Sequence, residues 1–85
     1  MTEQKFFDEP VTVTAQIDHT GHVTPSSLTW GEHDYQLISI GRQWESEEGR
    51  HVLVEAAGGN RFEIQLSRQD LLWRLCRSWT EEMTA

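Results

Sequence analysis

The sequence predicts an all-β domain, a small antiparallel meander of five to six strands curling into a barrel. Three observations carry this prediction. Apolar and polar residues alternate at period two over several short segments, as half-buried strands require. Turn signals recur at intervals of about ten to fourteen residues, close to the spacing of all-β domains. Every connection is short, and short connections join antiparallel neighbours. A meander of this size buries its apolar face by closing on itself.

Residues 1–9 carry mixed charge with Phe6 and Phe7 as apolar anchors. They read as a flexible N-terminal arm that Pro10 ends, ahead of a single β domain over residues 10–80 and a disordered tail over 81–85. Val11, Val13, Ala15 and Ile17 then alternate with Thr12, Thr14, Gln16 and Asp18, which predicts the first strand. The break His19-Thr20-Gly21-His22 offers a glycine where a tight turn wants positive φ. Pro25 disfavours a central position for the next segment, so Leu28 and Trp30 fit a short or edge strand. Gly31-Glu32-His33-Asp34 is the next turn. Tyr35 and Leu37 fall on one face of the following strand, and Ile38 and Ile40 on the other. Either both faces are covered there or a bulge shifts the register, with Gly41 the candidate for it.

Glu45-Ser46-Glu47-Glu48-Gly49 is an acidic turn. Val52, Val54 and Ala56 define one face of the next strand. Gly58-Gly59-Asn60 is the strongest hairpin signal in the chain, and Phe62, Ile64 and Leu66 alternate cleanly after it. The last segment is ambiguous. Ser67 followed by Asp70 has the form of a helix cap, with Leu71, Leu72, Leu75, Cys76 and Trp79 as a helical stripe. Read as a strand, Leu71, Trp73, Leu75 and Trp79 share one face, with Arg77 among them.

The 85 residues carry a net charge of −7, which disfavours a general nucleic-acid coat because phosphate binding needs a basic surface. No apolar run approaches a membrane span and no signal peptide is visible, so a cytoplasmic location is expected. Cys76, the lone cysteine, forms no internal disulfide. It reads as a small core residue, since no base or motif accompanies it. No catalytic residue, metal set or cofactor emerges. Ser26-Ser27 lacks a glycine elbow, and Gly58-Gly59-Asn60 is too short for a phosphate loop. The acids of the turn at Glu45, Glu47 and Glu48 lack calcium-loop spacing. His19 and His22 flank a turn beside Asp18 and give a weak metal or small-ligand reading, short of the four ligands of a closed structural site.

The informative feature is four tryptophans in 85 residues. Each ring can bury on the order of 200 Å². A small barrel interior does not hold them all comfortably with Phe62 and Tyr35. Trp79 is expected at the surface first and Trp44 second. Six of the seven basic residues are arginine, and Arg74 and Arg77 lie close to Trp73 and Trp79 in sequence. Tryptophan with arginine is the composition of interface hot spots. Single-strand nucleic-acid binders combine similar rings with a positive groove, and residues 61–79 are the only stretch with a basic balance.

Taken together, Pro25, Leu28 and Trp30 ahead of Tyr35, Leu37 and Trp44 form a familiar pattern. Val52 and Val54, Gly58-Gly59, Phe62-Glu63-Ile64 and Trp73-Arg74-Leu75 continue it. The chain resembles, over residues 11–79, a family of small bacterial all-β domains of unknown function. It departs from that family at Gly31-Glu32-His33-Asp34, where basic residues would stand, and has only a loose counterpart of the closing acid in Glu81. The resemblance implies that residues 71–79 form a strand. Some members accompany genes for DNA repair polymerases, which is genome context. The expectation is a non-enzymatic protein-interaction or accessory module whose partner-binding residues are Trp79, Trp44, Arg77 and Arg74. It would be a monomer or weak homodimer. The alternatives are single-stranded nucleic-acid binding through residues 61–79 and a small-ligand or metal site near His19 and His22.

Overall fold

The computed structural model describes the backbone of residues 2–81 and the side chains of residues 8–79. The chain forms six antiparallel strands, β1 (Thr2–Ile17), β2 (Val23–Trp30), β3 (His33–Glu45), β4 (Gly49–Ala56), β5 (Asn60–Ser67) and β6 (Trp73–Glu81), with no helix among the described residues. They pair in sequence order and close into a barrel, β6 returning to β1. The predicted all-β meander is therefore the observed fold. Among the described residues no helix is long and apolar enough to cross a membrane.

The N-terminal segment differs from the expectation of a loose arm. Residues 2–9 are the first part of β1 and ladder onto β6, from Thr2 opposite Glu81 to Glu9 opposite Leu75. A strand of this length would span about 50 Å at ~3.3 Å per residue, comparable to the 43 Å long axis of the molecule. Its first half closes the barrel against β6 and its second half, from Thr12, pairs with β2. Pro10 lies in the strand and does not end it. It sits where β6 alone pairs with β1, before β2 joins, so its missing N–H leaves no second ladder short of a donor. The side chains of Phe6 and Phe7, and residues 82–85 of the expected tail, lie outside the described part.

Pro25 acts similarly in β2. The β2–β3 ladder covers only residues 27–30 of β2, so Pro25 has a neighbour on one side alone, at a register shift opposite Ala15. Side chains serve the open edge there. Gln43 Nε2 donates to the Val23 carbonyl at 2.7 Å, and Arg50 Nη1 donates to the Gly21 carbonyl at 3.2 Å. β3 resolves its two-faced pattern with register shifts between Leu37 and Ser39 and between Ile40 and Gln43. The first leaves Ile38 outside, 62 % exposed, and turns Ile40 inward, opposite Val54 and against the core. The second brackets Gly41, as the sequence suggests.

The core is Leu28, Leu37, Val52, Val54, Ala56, Phe62, Ile64 and Leu75, with Val11, Val13, Trp30, Tyr35, Ile40 and Trp73 packed against it. The Gly58-Gly59 hairpin behaves as its sequence demands, with φ of +93° and +86°. Three residues, Ala57, Gly58 and Gly59, join β4 to β5, and both glycines take the positive φ that residues with a Cβ seldom adopt.

β6 is the strand that the resemblance implies, starting at Trp73, and the helical alternative for residues 71–79 falls away. Asp70 uses its carboxylate as a helix cap would, but it closes a turn, to which Ser67 contributes through its backbone. Asp70 Oδ1 accepts from Leu72 N–H at 3.1 Å, and Ser67 N–H donates to the Leu72 carbonyl at 2.9 Å. Leu71 and Leu72 are 71 % and 53 % exposed, so the helical stripe does not exist. Pairing with β5 and β1 satisfies the backbone that a helix would otherwise have satisfied locally.

Candidate functional site

The outer wall over β3–β6 holds the unusual residues. Directly opposed residues share a face, so the registers define the rows. Trp44, His51, Gln65 and Arg74 form one row across β3, β4, β5 and β6. Leu53, Glu63 and Arg77 form the next, and Glu55, Arg61 and Trp79 a third. Trp79, Trp44, Arg77 and Arg74, the residues picked from sequence, all belong to this one wall. Trp30 and Trp73 pack on the core instead.

A bulge in β6 makes this possible. Glu63 faces Arg77 while Ile64 faces Leu75, so Cys76 is an extra residue. Strict alternation from the inward Leu75 would aim Arg77 and Trp79 into the core. The extra residue turns both outward. The expected shared face of Trp73, Leu75 and Trp79 is thus corrected. Cys76 is corrected as well. It is half-buried and its sulfur lies with the side-chain donors of His51 and Glu63.

The wall is a connected polar layer. The Arg42 guanidinium lies 5.2 Å from the Trp44 ring centre. The Trp44 ring stacks on His51 at 5.1 Å and 5°. His51 Nδ1 is 3.0 Å from Glu63 Oε2. Arg77 Nε donates to Glu63 Oε1 at 2.5 Å, and its guanidinium lies 5.4 Å from the Trp79 ring centre. Glu63 is 7 % exposed although it points outward, because its neighbours on β4 and β6 cover it. Its charge is matched by Arg77, as a buried carboxylate needs. Ser46 Oγ lies 2.8 Å from His51 Nε2 and accepts from Glu48 N–H at 3.2 Å. Gln65 Nε2 donates to Glu48 Oε2 at 3.3 Å.

The arginines of the wall carry acidic partners. Arg74 pairs with Asp70 at 3.2 Å and with Asp8 at 3.9 Å, and Arg77 with Glu63. A polar cleft of about 650 Å³ adjoins Gln65 and Arg74. Four carboxylates, Asp8, Glu47, Glu48 and Asp70, line it beside Arg68 and Arg74, so it lacks both the apolar lining of a typical ligand pocket and the basic surplus of a phosphate groove.

His19 and His22 are exposed. Their neighbour Asp18 is occupied by the turn, accepting from the Thr20 hydroxyl at 2.6 Å, Thr20 N–H at 2.9 Å and His22 N–H at 3.0 Å. Those bonds, the Thr20 hydroxyl foremost, hold its carboxyl below the ordinary value. The three do not gather as metal donors. Among the described residues that description fits His51, Glu63 and Cys76, whose donor atoms all lie within 4.8 Å of one another.

Burial pushes the Cys76 thiol up from 9.0 to about 11, and the negative charges of Glu63, Asp8 and Glu48 add to it against Arg77. An unfolded thiol ionises near pH 9 and the folded one near pH 11. Stability therefore falls as pH rises from 9 to 11. At pH 8 the folded protein should hold about 100-fold less thiolate than the unfolded chain. Iodoacetamide labelling of the folded protein should be slower by a similar factor, and equal rates in buffer and in urea would contradict the burial.

Sequence reasoning missed Ser46, His51 and Glu63. The Gly58-Gly59 hairpin holds the signal, because it pairs Glu55 with Arg61 and hence Leu53 with Glu63 and His51 with Gln65. His51 and Glu63 then follow as diagonal neighbours. Comparison with protein-family models, with curated proteins and with solved structures returns no match for this chain.

Proposed function

We propose that the chain is a non-enzymatic protein-interaction module whose recognition surface is the outer wall over β3–β6. The observation that carries this reading is the division of the tryptophans. Trp30 and Trp73 serve the core, while Trp44 and Trp79 stand on the outer wall, each with an arginine against its ring. The outside of a sheet needs no indole for stability, and Trp and Arg are the residues most enriched where partners bind. The Glu63–Arg77 pair and the Trp44–His51 stack hold the wall in place before any partner arrives, which lowers the ordering cost of association.

A protein fits this wall better than single-stranded nucleic acid. The indoles and arginines would suit either, but Arg74 and Arg77 are engaged by Asp70, Asp8 and Glu63. The net charge of −7 repels phosphate at long range.

The test is affinity capture of the tagged protein from a lysate of its source cells after nuclease treatment, beside the double variant Trp44→Ala/Trp79→Ala. A partner should survive nuclease, and each lost indole should weaken it by about 30-fold or more, the equivalent of roughly 2 kcal/mol. Thermal melting checks that the variant is folded. Partners equally retained by a folded double variant would refute the surface. Partners that vanish with nuclease would transfer the reading to nucleic acid.

A further inference from the structure

We propose that His51, Glu63 and Cys76 form a three-donor site for a zinc-like first-row dication on the outer wall of the barrel. The donors come from three adjacent strands, β4, β5 and β6. One His51 ring nitrogen, one Glu63 carboxylate oxygen and Cys76 Sγ all lie within 4.8 Å of one another, and His51 Nδ1 is 3.0 Å from Glu63 Oε2. A tetrahedral ion at ~2.0–2.3 Å from each donor sets the donors about 3.3–3.8 Å apart. From 4.8 Å at most, reaching that spacing asks the donors to approach by about 1 Å. Thiolate, imidazole and carboxylate together favour zinc over the hard cations, which take oxygen.

The surroundings suit the ion. Arg77 holds Glu63 Oε1 and leaves Oε2 as the donor. Ligating carboxylates are commonly fixed by such an outer hydrogen bond. In the tautomer that donates from Nδ1 to Glu63, His51 Nε2 accepts from the Ser46 hydroxyl. With metal, the ring proton moves to Nε2 and the hydroxyl oxygen accepts it, so neither ring nitrogen is stranded. The thiol proton leaves to water as the ion binds. Asp8 and Glu48, whose fields oppose thiolate formation, favour a dication for the same reason. Three protein donors leave a fourth position open.

The test uses the whole chain, zinc and cobalt(II). After zinc loading and desalting, native mass spectrometry should find about one ion per chain. Cobalt(II) should give a thiolate charge-transfer band. Cys76→Ser should lose both, while His19→Ala/His22→Ala keeps both. Ser46→Ala should bind about 10- to 100-fold more weakly. On the unaltered protein, excess zinc should slow alkylation of Cys76 by at least about 10-fold, which reads the same site without relying on a variant's folding. No retained zinc, zinc retained undiminished by folded Cys76→Ser, or alkylation unmoved by zinc would each overturn the site.

Discussion

Phe62→Ala is expected to destabilise the barrel by about 3–5 kcal/mol. Phe62 is 1 % exposed and is the largest of the fully buried side chains. Its ring meets Tyr35 at 4.9 Å and Trp30 at 6.3 Å, both edge to face. Truncation removes the central ring of that trio and leaves a cavity between three strands, β2, β3 and β5, that do not collapse together without breaking their ladders. A chain of this size has a total stability of about 5–10 kcal/mol, so the variant should lose half or more of it. Urea denaturation followed by tryptophan emission measures the loss. A cost below about 1 kcal/mol would mean that the core does not centre on Phe62.

Gly49→Ala should cost about 3 kcal/mol or more by overpacking and strain. Gly49 opens β4 with φ +155°, and a Cβ there would lie 2.0 Å from the Leu66 carbonyl oxygen and 3.1 Å from Arg68 N. These are backbone atoms of β5 and the turn after it, so no side-chain rotation relieves the clash. Gly49 also accepts from Ser46 N–H at 2.9 Å, which links the damage to the turn that brings Ser46 to His51. Gly41→Ala is the matched control. Its added Cβ meets Leu53 Cβ at an ordinary 3.6 Å, and its cost should stay under about 1 kcal/mol. Equal midpoints for the two variants in urea would contradict the close approach at Gly49.

The fold was legible where pattern and turn chemistry agree. Val52, Val54 and Ala56 alternate up to Gly58-Gly59, and Phe62, Ile64 and Leu66 alternate after it. Both strands and their register follow from those residues. The helical alternative over residues 71–79 arises because a residue such as Asp70 can cap a helix or close a turn with similar hydrogen bonds. Pairing to β5 and β1 decides the matter, and that pairing is nonlocal. Residues 2–9 misled for a related reason. Their charge pattern looks like an arm, and only the ladder to β6 makes them a strand.

The site was half legible. Composition pointed to Trp44, Trp79, Arg74 and Arg77, since four tryptophans exceed what a small core needs. Period-two counting placed Trp79 with Trp73 and Leu75, and the extra residue Cys76 reverses that. The β6 bulge adds one residue without any glycine or proline to mark it. His51 and Glu63 look like ordinary solvated strand residues until the hairpin register is worked through. Their contact is diagonal, and diagonal contacts carry no spacing signature in the sequence.

The central claim is that the outer-wall indoles, and not the core pair, meet a partner. Fluorine NMR of protein labelled with 5-fluorotryptophan tests it most directly, with each resonance assigned by single Trp→Phe variants. Added nuclease-treated lysate from the source cells should broaden or shift the Trp44 and Trp79 signals and leave those of Trp30 and Trp73 in place. Signals of Trp44 and Trp79 that stay unmoved while a captured partner is bound would contradict the account.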